Sequence, residues 1–169
     1  MADSRTANLL GALVLALDDE ISAGTAAAAE HGATFPAALV SLRWEPGLSI
    51  EALRRRLGLT HSGTVRLLDR LEADGLVARH AGPDGRTVAL GLTARGRRSV
   101  RAILDRREDV LQRTLRILSR GELGQLTTLL EKLLAGMTTD PEQADRICRL
   151  CDEGVCDAAA CPVERAARG

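Results

Sequence analysis

The sequence predicts a mainly α-helical chain with one β-hairpin near its middle. Long segments towards both ends carry apolar residues at helical spacing, and a Pro-Asp-Gly turn separates two short β-rich runs. With 169 residues, the chain can form one domain core with a helical extension. It contains no apolar stretch of about eighteen residues, so we expect a cytoplasmic protein without a membrane-spanning segment.

A first helix is predicted from Ser4 to His31, in a segment rich in Ala and Leu. Its apolar residues recur at helical spacing: Leu10, Leu13, Leu17 and Ile21. This apolar surface is too wide for one small domain to cover, so we expect part of it to contact a second subunit. A second helix is predicted from Pro36 to Arg43, because the breaking residues Pro46 and Gly47 follow it.

The next segment predicts a helix-turn-helix. Ser49 precedes a short helix that ends at Gly58 and has an inner face of Ile50, Leu53 and Leu57. A further helix, with Thr60 or Ser62 as its N-cap, continues towards Gly75. Its expected buried residues are Val65, Leu68 and Leu71. Two short helices joined by a tight turn that contains glycine are typical of this motif.

A hairpin and two long helices follow. The run "LVARH", the turn "AGPDGR" and the run "TVALGLT" predict a β-hairpin with Arg86 at its tip and Arg79 at its shoulder. The segment from Thr93 to Ser119 is a long amphipathic helix with Thr93 as its cap, and a further helix ends near Gly136. Together these elements predict a winged helix-turn-helix between N- and C-terminal dimerisation helices.

The basic residues are concentrated in this central region. Between Arg54 and Arg101 the chain has eleven arginines and only four acids, although its overall formal charge is zero. Such a local excess is typical of a surface that binds phosphate groups.

The residues at the start of the recognition helix are the candidates for reading base edges. They are Thr60, His61, Ser62, Gly63, Thr64 and Arg66. Arg70 lies one turn beyond Arg66, so we expect it to contact a phosphate or a guanine. One or two of Arg54, Arg55 and Arg56 are expected to touch phosphate. Trp44 is expected to pack under the helix-turn-helix, while His31 and His80 have no ligand spacing.

The segment "GLTHSGTVRLLDRLEADGLVAR" followed by "GPDGRTVALGLTARG" resembles the MarR family of winged-helix transcriptional regulators. The resemblance extends over about residues 5–137 and implies an obligate dimer built from the first and the last two helices. It also implies a recognition helix in the major groove and a wing in the minor groove of double-stranded operator DNA. Asp84 and Arg86 match the family's Asp-x-Arg wing element, in which the aspartate braces the tip and the arginine enters the groove.

All four cysteines lie outside that resemblance, near the end of the sequence. Cys148, Cys151, Cys156 and Cys161 have the spacing C-x2-C-x4-C-x4-C. Four thiolates in a short loop are typical of a zinc site, which we favour, or of an iron–sulfur cluster, for which Cys161-Pro162 is a supporting feature. Redox thiols without metal are the third interpretation. If a metal does bind, it could serve as a sensor or could only clamp the dimer, and both hypotheses stay open.

The predicted organisation has four parts. Residues 1–35 form a dimerisation helix, residues 36–93 the winged helix-turn-helix, residues 94–137 the C-terminal dimerisation helices, and residues 138–169 a cysteine-rich tail. The predicted function is that of a regulator, not an enzyme, with the cysteines sensing metal or redox state; a small-molecule effector is left open. A thiol oxidoreductase is disfavoured, because no strand precedes Cys148-x-x-Cys151. A winged-helix interaction module without DNA binding is the remaining alternative.

Overall fold

The computed structural model of the chain describes residues 3–23, 34–82, 87–156 and 159–168. Its elements in chain order are helices α1 (Ser4–Ala23), α2 (Thr34–Trp44), α3 (Ile50–Leu57) and α4 (His61–Ala73), strands β1 (Val77–Ala81) and β2 (Val88–Leu92), and helices α5 (Ala94–Leu115), α6 (Arg120–Met137), α7 (Pro141–Cys148) and α8 (Pro162–Ala167). The predicted fold class, mainly helical with one hairpin, is confirmed. None of the described helices is long and apolar enough to cross a membrane.

Helix α2 is the centre of the core. Every residue from Phe35 to Leu42 is buried. The helix packs against α3, α5 and β2. The side chains that complete this core come from all parts of the helix-turn-helix and hairpin: Leu48, Leu53, Leu67, Leu68, Leu71, Leu76, Val77, Leu90, Val100 and Ile103. The winged helix therefore has its own hydrophobic core.

Helix α1 differs from this pattern, because none of its residues is buried. Leu10 and Leu13 are about half exposed, while Leu17 and Ile21 are partly covered where α1 packs on α5. The predicted extension of this helix to His31 falls largely on residues 24–33, which lie outside the described part of the chain.

Side-chain caps define where the helices begin. Ser49 Oγ accepts a hydrogen bond from the N–H of Ala52, and Thr60 Oγ1 accepts one from the N–H of Gly63. Thr60, rather than Ser62, is therefore the N-cap of α4. Thr93 caps α5 in the same way through the N–H of Gly96, as predicted.

The hairpin is tied to the helix-turn-helix along one edge. Strands β1 and β2 pair antiparallel in the register Val77↔Leu92 to Ala81↔Val88. Outside this pair, the N–H of Leu90 donates to the carbonyl of Leu48 at 3.1 Å. The hairpin base is thus fixed at the entry to α3. The tip, residues 83–86, lies outside the described residues.

One of the two C-terminal helices is shorter than predicted. Helix α5 ends at Leu115 rather than about Ser119, whereas α6 ends at Met137, near the predicted Gly136. A capping box between Ser119 and Glu122 begins α6. Like α1, α6 has no buried residue, and its apolar side chains face outward: Leu129, Leu130, Leu133 and Met137.

The tail contains two short helices that the sequence analysis did not predict. Asp140 caps α7 with Pro141 at its first position, and Pro162 opens α8 directly after Cys161. An Asp-Pro pair of this kind is a helix-start signal. Ala144 and Val163 are buried, so the tail is packed against the rest of the chain.

Candidate nucleic-acid interface and cysteine tail

The exposed side of α4 and its N-cap presents five polar side chains, which we call the reading face. They are Thr60, His61, Ser62, Arg66 and Arg70. The opposite side of α4 is buried in the core through Leu67, Leu68 and Leu71. Because the helix is anchored on that side, the reading face has a defined direction. It includes five of the seven residues of α4 and its cap that the sequence analysis predicted to bind DNA.

Thr64 is one of the two predicted residues that lie outside the reading face, because the structure places its side chain in the core rather than on the exposed side of α4. Its side chain is 0 % exposed, and its Oγ1 donates a hydrogen bond to the carbonyl of Thr60 at 3.0 Å. Val65, predicted to be buried, is only half-buried, and Leu67 takes that place. The start of α4 is thus rotated relative to the predicted helical face. A buried hydroxyl bonded to its own helix cannot reach a base edge.

Gly63 is part of the cap rather than of the reading face. Its N–H is bonded to Thr60 Oγ1, and a Cβ added there would lie 3.1 Å from the same oxygen. The absence of a side chain at Gly63 therefore leaves room for the cap. Any contact of this residue with DNA would have to come from its backbone.

The wing is braced on the recognition helix by an arginine. Arg79 of β1 donates to Asp69 at 2.7 Å and to Glu72 at 2.6 Å, both carboxylates belonging to α4. Neither of these two acids was assigned a role from the sequence. Their spacing of three residues, which places them on one helix face, is the signal that could have revealed the brace. The predicted wing residues Asp84 and Arg86 lie outside the described residues.

The three consecutive arginines of α3 have different partners. Arg54 bonds Glu51 at 2.8 Å and the carbonyl of Leu59, whereas Arg55 is about half exposed. The side chain of Arg56 is 13 % exposed and is paired with Glu45 and Asp145. Arg55 is therefore the member of this run that is best placed for a phosphate.

The four cysteines lie on or beside the tail helices. Cys148 ends α7, Cys161 directly precedes α8, and the N–H of Cys151 donates to the carbonyl of Cys148 at 2.8 Å. Hydrogen bonding between the side chains of Cys148 and Cys151 raises the pKa of Cys148 and lowers the pKa of Cys151 to about 6. Burial raises the pKa of Cys156.

These cysteines are neighbours, yet they are not assembled into a coordination shell. After burial, the charges of Cys151 and Cys161 also raise the pKa of Cys156. Among the described residues, however, no group of three or more His, Cys, Asp or Glu side chains is placed to hold a metal ion. The side-chain interaction between cysteines that is found in the described tail is that of Cys148 with Cys151.

A helix-turn-helix, a wing braced on its second helix and an exposed polar reading face define a winged-helix DNA-binding protein. A model of the MarR family matches residues 37–87, which include the reading face. The chain is 30 % identical over 106 residues to the HTH-type transcriptional repressor MdtR of Bacillus subtilis (strain 168), covering 62 % of this chain and 68 % of that protein. The chain therefore belongs to the MarR family of transcriptional regulators.

Solved structures share this fold. The crystal structure of MepR, a transcription regulator of the Staphylococcus aureus multidrug efflux pump MepA, aligns with a TM-score of 0.68 at 21 % identity and covers 78 % of this chain and 98 % of MepR. A mutant of S. aureus MepR bound to an oligodeoxyribonucleotide aligns with a TM-score of 0.58 at 20 % identity, covering 79 % of this chain and 98 % of that chain.

Proposed function

We propose that the chain is a homodimeric repressor that binds double-stranded operator DNA through the reading face of α4 and the wing. The observation that carries this proposal is the reading face itself. Its polar side chains lie on the exposed side of α4, and the opposite side of this helix is anchored in the core. Residues at this position of a helix-turn-helix contact base edges in the major groove. The name of the relative MdtR supports the assignment as a repressor.

Selection from a randomised duplex library, followed by anisotropy titration at several salt concentrations, tests the DNA-binding proposal. We expect one enriched sequence with two half-sites, and an affinity that falls steeply as salt rises, because arginines displace counterions from phosphates. An unenriched library together with a flat salt dependence would contradict the proposal and favour the interaction module.

The dimer part of the proposal rests on two exposed apolar surfaces. Helix α1 exposes Leu10 and Leu13, and α6 exposes Leu130 and Leu133, each of them about half accessible. Apolar surface of this extent on two terminal helices is typical of a subunit interface. Sedimentation analysis should give twice the chain mass at micromolar concentration, and a monomer under those conditions would contradict this part.

For the tail, we propose that Cys148, Cys151, Cys156 and Cys161 bind one zinc ion. Support comes from the four thiols, which lie within fourteen residues of sequence. Metal analysis and an absorption spectrum of protein purified without air test this. Colourless protein with one zinc per chain is expected. Brown protein that contains iron and sulfide would instead indicate an iron–sulfur cluster.

A thiol redox sensor is the second candidate function, favoured by the hydrogen bond between Cys148 and Cys151. Under this hypothesis, one peroxide molecule oxidises the two thiols to a disulfide and is itself reduced to two water molecules. Mass spectrometry of peroxide-treated protein distinguishes the candidates. The redox hypothesis is supported if the protein contains no zinc as isolated and if a disulfide between Cys148 and Cys151 lowers its mass by two hydrogen atoms.

A further inference from the structure

The first helix of the tail, α7, is anchored on the helix-turn-helix. It packs on α3. Asp145 of α7 accepts a hydrogen bond from Arg56 of α3 at 2.7 Å, and the side chain of Arg56 is only 13 % exposed. Just after α7, Leu150 packs against the hydrophobic core, and the indole N–H of Trp44 donates to the carbonyl of Cys151 at 3.2 Å. These contacts give the exposed side chains of α7 a defined position relative to α3.

Arg146 of α7 lies at the turn between α3 and α4. Its Nε donates to the backbone carbonyl of Arg55, in the last turn of α3, at 3.3 Å. Its Cζ lies 3.9 Å from the position that a Cβ at Gly58 would take. Because Gly58 is two residues before Thr60, this guanidinium lies no more than about 13 Å from the Cα of Thr60. The tail therefore places a cation close to the start of the reading face.

This position corresponds to the DNA backbone in a helix-turn-helix complex. The second helix of the motif enters the major groove, which is about 12 Å wide, while the first helix crosses the phosphate backbone. A cation at the end of α3 and near the start of α4 therefore lies beside the strand that borders the groove. The side chains of Arg146 and Arg55 are 45 % and 53 % exposed, so both guanidinium groups are accessible to phosphate oxygens.

The acids of α7 that lie beside Arg146 do not prevent such a contact. The charge of Asp145 is offset by Arg56. Glu142 pairs with Arg146 at 2.8 Å, one helical turn away, and both side chains are about half exposed. Exposed pairs of this kind contribute little free energy, so a phosphate can replace Glu142 as the partner of the guanidinium. An arginine binds phosphate oxygens well because its planar group offers two parallel N–H donors.

We propose that α7 is an additional phosphate-binding element, in which Arg146, beside Arg55, contacts the DNA backbone next to the groove that α4 enters. The assignment rests on the proposed function, and it adds the tail to the surface that binds the operator. A phosphate contact positions the protein without reading a base. Arg146 therefore contributes to affinity on every sequence, and this contribution decreases as salt rises.

Anisotropy titration of the full-length protein at several salt concentrations tests the proposal, on the selected duplex and on an unrelated duplex of equal length. Arg146→Gln removes the charge but keeps an N–H donor for the carbonyl of Arg55. We expect weaker binding to both duplexes by a similar factor. The slope of log K against log salt should become shallower by about 0.9 per chain, or about two for a dimer. The sequence enriched by selection should not change.

Two further variants complete the experiment. Glu142→Gln should strengthen binding to both duplexes, because it removes a negative charge near the phosphates and frees Arg146. Arg168→Gln is the matched control. Arg168 also lies in the tail and pairs with a glutamate one turn away, Glu164, but it follows α8, which packs on α6 and α7. This control should keep the wild-type slope and affinity. Thermal unfolding of each variant checks that the fold is retained.

A wild-type slope in Arg146→Gln would overturn the proposal while the DNA-binding function stands. A lower melting temperature together with an unchanged slope would assign Arg146 to capping of α3 alone, which also overturns it. If Arg146→Gln does not fold, Glu142→Gln decides, because an unchanged affinity in that variant contradicts a phosphate beside this pair. Wild-type protein that binds neither duplex would instead remove the proposed function itself, and the phosphate contact with it.

Discussion

For single residues, the direction of a side chain matters as much as its type. Thr64 and Arg66 lie two positions apart in α4, yet one is fully buried and the other is exposed. Because an α-helix turns by about 100° per residue, these two side chains lie on nearly opposite sides of it. Polar residues near the start of α4 are thus divided between the core and the exposed side of the helix.

Replacing Thr64 by valine should destabilise the fold by about 1 kcal/mol, because the buried hydroxyl loses its hydrogen bond to the carbonyl of Thr60. Urea unfolding measures this change, and Thr64→Ser is the control that keeps the hydroxyl. The preferred operator sequence should stay the same. A changed base preference in Thr64→Val would mean that this side chain reaches the DNA.

Replacing Arg66 by alanine should change base preference instead, by about 1–3 kcal/mol at the affected base pair. The exposed arginine has no role in the core, so the free energy of unfolding should stay within about 0.5 kcal/mol of wild type. Selection from a randomised operator library is the measurement, and Arg120→Ala at the exposed start of α6 is the matched control. Uniform weakening on all sequences would assign Arg66 to the phosphate backbone.

Among the helices and strands, the contact between α5 and the turn after α4 depends on a single glycine. A Cβ at Gly96 would lie 2.0 Å from the backbone oxygen of Leu76, closer than any real contact. Thr93 adds to this contact by donating to the carbonyl of Gly75 at 2.6 Å. The first turn of the long helix is therefore pressed against the start of the wing.

Gly96→Ala should destabilise the protein by about 3 kcal/mol, since backbone rather than a flexible side chain must move to admit the methyl group. The matched control is Gly121→Ala in α6, where nothing lies within 4 Å of the added Cβ. That change should be neutral or stabilise by up to about 1 kcal/mol through helix propensity. Equal unfolding free energies for the two variants would contradict the close approach of Gly96 to the backbone of Leu76.

The molecule as a whole consists of three parts: a packed winged helix, the helices α1 and α6 with their uncovered apolar faces, and the tail that packs against the rest of the chain. The winged helix has its own core, whereas α1 and α6 have no buried residue in the single chain. The apolar faces of α1 and α6 are therefore the surfaces that the proposed dimer would cover.

Leu133→Arg should shift the dimer towards monomer, because it places a charge in the apolar surface of α6. Val155→Arg is the matched control, since Val155 is an exposed apolar residue outside both terminal helices. Sedimentation velocity at several concentrations gives the dissociation constant of each. A dimer of unchanged strength in Leu133→Arg would place the interface elsewhere.

Each of the four Cys→Ser variants should contain much less zinc than wild type, because three thiolates and a hydroxyl do not hold the ion as tightly. Metal content is measured on purified protein, with Ala160→Ser as the control for a serine introduced beside Cys161. The core of the winged helix does not involve these residues, so this part should remain folded and keep its cooperative unfolding transition. Full zinc content in all four variants would exclude a shared site.

Most local features of this protein follow from its sequence alone: the helices before the tail, their caps, the hairpin and the position of the reading face. They arise from interactions between residues a few positions apart, such as Ser49 with Ala52 and Thr93 with Gly96, which spacing predicts. Features that depend on distant partners became visible only in the folded chain. Arg56 meets Asp145 across 89 positions and Trp44 meets Cys151 across 107, separations over which no periodicity extends. For the same reason the sequence analysis grouped Thr64 with the DNA-reading residues, while packing of α4 against the core turned its side chain inward.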